Sequence, residues 1–209
     1  MISYAILFFV FVGAAINVVV VISVRKLENA SELLEVIQNG ESVLVNGADY
    51  ATRARWAEDN DFRPDLLADF HGAVGAGPIT MAVWKNEYKK TFLSSYVVGE
   101  NIASEFVTLL NNGSGLTTSN SIDSMLFPNA PGHYVQAFGG MTDLNKLFQQ
   151  HEAALVYLNQ TKNVTIADRW ETTDVLIVES IKRQIQHVKS LPLWQLRGCY
   201  WFFIRRHRM

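Results

Sequence analysis

The residues whose types could do chemistry are few: five histidines, one cysteine and a glycine-rich turn. Asp65, Asp69 and His71 lie close in sequence, and two carboxylates beside an imidazole can share a metal ion if Asp69 and His71 converge. A dispersed catalytic centre would draw on Asp69, His71 and His133. None of these belongs to a complete ligand pattern: "HEAAL" at 151 lacks the second histidine of the zinc-protease motif. His151 falls on an apolar helical stripe, where a histidine is more often a hydrogen-bonded core residue than a ligand. In "HGAVGAGP" the glycines at 72, 75 and 77 are not spaced as G-x-G-x-x-G and no Lys-Ser/Thr follows, so a plain turn is expected. There is no G-x-S-x-G elbow. Cys199 stands alone among aromatics, which suits a structural thiol and excludes an internal disulfide or a multi-cysteine metal site. The expectation is no catalytic residue, no cofactor and a protein that leans away from being an enzyme.

The elements that must position these residues begin with an apolar run. From Ile2 to Val24 there are 23 uncharged residues, among them Phe8, Phe9 and Val18. A helix that long would rise about 34 Å, enough for a hydrocarbon core of about 30 Å. The sequence therefore predicts an uncleaved single-pass transmembrane helix over 1–25. Arg25 and Lys26 follow it directly, and the positive-inside rule then places the remainder on the cytoplasmic, matrix or stromal side. Four N-x-[ST] sequons, at Asn29, Asn112, Asn159 and Asn163, argue the other way, since they matter only in a glycosylating lumen. Leu27, Leu34 and Ile37 predict that the helix continues as an amphipathic extension over 26–40.

The rest reads as one compact mixed domain over 41–190, of the α+β class and rich in helix. Strands are expected at 42–47, 79–84, 91–98 and 132–140, with a hairpin turn at "KNEYKK". Helices are expected at 48–59, 64–72, 100–113, 142–160 and 173–190, the fourth capped by Thr142 or Asp143. "NNGSGLTTSNS" at 111–121 reads as a flexible loop.

Charge divides unevenly. All 20 acidic residues lie at or before Glu179, whereas residues 182–209 carry seven Lys or Arg and no acid. The acidic body excludes a general nucleic-acid face. The segment 191–209 joins Trp194, Tyr200, Trp201, Phe202 and Phe203 to Arg205, Arg206 and Arg208. Aromatics suit the headgroup level and cations an anionic leaflet, so this tail is expected to dock on a membrane with anionic headgroups or on a partner. The sequence thus predicts a membrane-anchored structural or accessory subunit, a scaffold whose partners are the lipid bilayer and other membrane-protein subunits. The alternative is a tethered sensor or ligand-binding module with a pocket between the strands and the 142–160 helix. A large apolar pocket with convergent polar groups would favour that alternative.

Overall fold

The computed structural model describes residues 2–37, 48–72, 77–98, 101–168 and 171–205, with side chains from residue 11 onward except those of residues 48, 98 and 101. Seven strands form a single sheet in sequential order: β1 Leu34–Val36, β2 Arg63–Phe70, β3 Ile79–Asn86, β4 Thr91–Val98, β5 Asn101–Leu109, β6 Gly115–Ser119 and β7 His133–Ala137. Every neighbouring pair is antiparallel except β6 and β7, which run parallel. Among the described residues six α-helices accompany the sheet: α1 Ile2–Leu27, α2 Ala30–Leu33, α3 Ala48–Asp59, α4 Leu144–Lys162, α5 Thr173–Ser190 and α6 Gly198–Phe203. The helix-rich expectation is therefore replaced by a fold organised on one large mixed sheet.

One face of the sheet is filled by α3 and α4. Trp84, Leu93 and Phe106 stand in register on β3, β4 and β5 and meet Ala57, Leu144, Leu147 and Phe148. Trp56, Phe62, Phe106 and Phe148 pack as an aromatic group, with the Phe106 and Phe148 centroids 4.8 Å apart. Arg53 ties α3 to the sheet: its Nε donates to Ser104 Oγ at 3.0 Å. α4 has the two ends its sequence provides. The Asp143 side chain accepts from the amides of Asn145 and Lys146, and Asn163 closes the helix in the left-handed conformation at φ 53°.

The opposite face of the sheet is roofed by α5. Thr173 donates to the Asp65 carboxylate at one end of this helix, and Arg183 Nη1 donates to Gly113 O at 2.6 Å further along. Gln184 Nε2 donates to Pro128 O beside it. Beyond these points Ile185 and Val188 turn to a second core with Val20, Val24, Trp194 and Trp201.

That second core corrects the reading of residues 1–25. Among the described residues no helix is long and apolar enough to cross a membrane. Val20 and Val24 are apolar because they are buried against α5 and the C-terminal segment, not against lipid. The transmembrane, single-pass and membrane-localised readings are withdrawn with it. Val18, at 56% exposure, and Phe11, Val19 and Ile22 lie on the outer face of the same helix. The side chains of Ile2, Phe8 and Phe9 fall outside the described residues.

Four further expectations change. The amphipathic extension over 26–40 is instead a single turn, α2, followed by β1. Residues 64–72 and 100–113 give strands β2 and β5 rather than helices. In β2, Leu66 and Leu67 face opposite sides of a sheet covered on both, so the pair imitates a helical repeat. In β5, Ile102, Ser104, Phe106 and Thr108 form the inward row, and the two hydroxyls conceal its period of two. Residues 111–121 are no flexible loop, because all five residues of β6 are buried within them. The strand expected at 42–47 lies outside the described residues.

Candidate functional site

Between the sheet and α5 lies a cavity of about 460 Å³. Its floor comes from six strands, β2 to β7: Met81, Val83, Phe92, Val107 and Val135 are representative. Leu176, Ile177 and Ile181 of α5 form the roof. The size and largely apolar lining are those of a site for one small molecule.

Polar groups gather at two places. The first is built on β4 and β5 beneath the 3-10 turn Ile122–Met125. Tyr96 Oη donates to Glu105 Oε1 at 2.7 Å, and the Ser124 hydroxyl, with one proton to give, lies 2.8 Å from both that oxygen and Ser121 O. Burial, then the negative charge of Glu105, pushes the Tyr96 phenol well above its ordinary value, so it remains a proton donor. Ser94 lies directly across the ladder from Glu105 on the same face. The second place is near the β5–β6 turn. His133 on β7 pairs through Nε2 with Thr117 Oγ1 at 3.1 Å. Burial lowers its pKa, and the charge of Arg183 lowers it further, so His133 is neutral near pH 7.

The ladder register measures the gap between these places. Glu105 is paired with Ser119, while His133 is paired with Gly115, which faces Leu109. Two strand spacings and four residues of rise separate them, about 16 Å in all. The floor between is carried by Val107, Thr117 and Val135.

The residues singled out from sequence for metal binding do not converge. Asp69 accepts from Thr80 Oγ1 at 2.6 Å, and His71 pairs with Glu35 at 3.2 Å. His133 is on the seventh strand, five strand positions from β2 and about 24 Å across the sheet. Among the described residues no group of three or more His, Cys, Asp or Glu side chains is placed to hold a metal ion.

The tail is divided by the fold. Trp194 and Trp201 are core residues at 8% and 2% exposure, whereas Tyr200, Phe202 and Phe203 face outward. α6 sits so close to α1 that a Cβ at Gly198 would lie 2.8 Å from Asn17 Oδ1. Beside it Cys199 Sγ donates to Gly13 O at 3.1 Å, a structural role. Arg205 Nη2 lies 3.5 Å from Asn129 Oδ1; Arg206 and Arg208 fall outside the described residues, while Arg25 and Lys26 are exposed at the end of α1.

His151 is the core histidine its helical stripe predicts. It is fully buried, and Thr108 and Thr118 hydroxyls lie 2.9 Å from its two ring nitrogens. The proton order in this network follows from its ends. Thr91 donates to Lys89 O, so it must accept from Thr108, which in turn accepts from His151 Nε2–H. At the other end Gln136 Nε2 donates to Gln150 O and Thr118 Oγ1, leaving the Thr118 proton for Nδ1. The ring is neutral with its proton on Nε2, and burial drives its pKa down to about 3.

Sequence reading missed Tyr96, Glu105, Ser124 and Arg183 as a set. The available signal was Glu105 itself: a lone acid in the alternating row Ala103, Val107, Leu109, visible only if 101–109 is read with a period of two. Comparison with protein-family models, curated proteins and solved structures finds no match to this chain.

Proposed function

We propose that this chain is a binding module for one small, largely apolar molecule held between the sheet and α5. The observation that carries the proposal is the cavity of about 460 Å³ with an apolar floor and the Tyr96–Glu105–Ser124 cluster at one place on it. Sites of this size and lining hold most small-molecule ligands. A core packed at ordinary density would leave no such space. α5 is fixed by the side-chain bonds of Thr173, Arg183 and Gln184, so the space is kept open by the fold instead of closing on itself.

The sequence-based alternative of a ligand-binding module gains support from this cavity, although its pocket lies under 173–190 and not beside 142–160. The reading as an accessory subunit of a protein assembly draws support from the outward apolar side chains Phe11, Val18, Val19 and Ile22 of α1. It does not account for the cavity.

The test is titration of the full chain with the neutral fluorescent probe N-phenyl-1-naphthylamine. Saturable binding of one probe per chain is expected. Val107→Trp and Leu176→Trp, which fill floor and roof, should abolish it while the thermal midpoint stays near that of the parent. Absence of saturable binding, or binding indifferent to both substitutions, refutes the proposal.

A further inference from the structure

Resting on the binding reading above, we propose that the cavity's ligand is an organic cation: an apolar body bearing a protonated amine whose ammonium pairs with Glu105. Glu105 is in no ion pair among the described residues. The Tyr96 and Ser124 hydroxyls both lie against Oε1, and Oε2 has no hydrogen-bond partner among the described residues. Glu105 lines the cavity with that oxygen unused, and a ligand there can supply a donor and a countercharge. An ammonium supplies both. It carries three donors. Glu105 Oε2 accepts one, and the Ser94 hydroxyl, opposite Glu105 on the cavity face and without a partner among the described residues, accepts a second.

The surrounding charges have the matching sign. The negative charge of Asp123 acts on the Tyr96 phenol together with that of Glu105, and Glu179 of α5 also lines the cavity. Arg183, the lysine-free lining's basic side chain, is at the far place and already donates to Gly113 O. His133 beside it is neutral. The cavity is therefore polarised along its length: the ammonium belongs at Glu105, and the apolar body extends over Val107 and Val135 for up to about 16 Å. An anionic ligand would have to lie the other way round, with its charge at Arg183 and its apolar end against Glu105, leaving that carboxylate unpaired.

The experiment displaces N-phenyl-1-naphthylamine from the full chain with three ligands of one chain length: dodecylamine, dodecanol and dodecanoate, each below its micelle-forming concentration. Dodecylamine is expected to bind at least tenfold more tightly than the other two. Glu105→Gln keeps the side chain's size, and should weaken dodecylamine about 10- to 100-fold more than it weakens dodecanol. Ser94→Ala should cost dodecylamine a few-fold. Dodecanoate as the tightest ligand, or equal affinity for all three, overturns the proposal on the parent protein alone, whether or not the variants fold. An ammonium preference that survives in folded Glu105→Gln overturns it as well. A parent protein that binds no probe refutes the binding reading itself, and this proposal with it. Probe binding without ammonium preference refutes this proposal and leaves the binding reading standing.

Discussion

Acid should destabilise this protein through His151 in a way that can be isolated. In the folded chain the ring is enclosed by Thr108, Thr118 and the Phe106 ring, with its centroid 5.9 Å from that of Phe106. Protonation would place a hydrogen on Nδ1, where the Thr118 hydroxyl already donates, and a charge where no carboxylate is bonded. The unfolded chain accepts a proton near the ordinary value of 6.5, the folded chain only near 3. The folded pKa is the lower one, so the unfolded state binds more protons between these values and stability falls as pH falls through that window. The loss is about 1.4 kcal/mol per pH unit, and on the order of 4 to 5 kcal/mol by pH 3. That is a large share of a typical folding free energy of about 5–15 kcal/mol. Carboxylates contribute to acid unfolding too, so the measurement is a difference. Urea unfolding of the parent and of His151→Leu, followed by tryptophan fluorescence, gives two stability curves between pH 7.5 and 4. The variant starts lower, because Thr108 and Thr118 lose their partner. The gap should then close by about 1.4 kcal/mol per pH unit below pH 6.5. Parallel curves would refute the reasoning, because they would mean that the ring takes up its proton equally in both states.

Other consequences are as direct. Trp201→Ala should cost about 3–5 kcal/mol in urea unfolding, whereas Phe203→Ser, at an exposed position, should stay within about 0.5 kcal/mol. Gly198→Val should lower the thermal midpoint, since the added Cβ meets Asn17 at 2.8 Å; a penalty of about 1–3 kcal/mol at about 2–4 °C each is the expected range. Asn163→Ala should cost about 1 kcal/mol by urea unfolding, because it places alanine in the left-handed region at φ 53°. Above pH 10 the folded chain holds the Tyr96 proton that the unfolded chain releases, so stability falls with rising pH. Tyr96→Phe should flatten that alkaline decline.

Legibility in the sequence followed how cleanly each face was apolar. β3, β4, α3, α4 and α5 lie close to their expected bounds, because one period dominates each and caps such as Asp143 punctuate them. β5 was missed because its core-facing row includes Ser104 and Thr108, hydroxyls that are buried by bonding to Ser95, Arg53, Thr91 and His151. A polar residue on a core face is invisible to a hydropathy pattern until its partner on another strand is known. The same reason hid the cavity. Glu105 and Ser124 are 19 positions apart and Arg183 is farther still, and only the ladder register and the roofing helix bring them around one space. α1 misled in the other direction: its apolar run is continuous, but it serves two surroundings, the core for Val20 and Val24 and the outer surface for Val18 and Ile22.

The clasp between α1 and α6 has a consequence in time. Gly13 and Asn17 receive Cys199 across a sequence separation of 186 and 182 residues. Translation at about 5–20 residues per second leaves the inner face of α1 waiting roughly 10–40 s for the segment that covers it. Until Trp194 and Trp201 emerge from the ribosome, Val20 and Val24 have no native neighbours from the C-terminal segment. α1 is made long before the segment that completes its packing, and a ribosome stalled a few residues short of Gly198 holds a chain whose sheet can form while α1 remains uncovered.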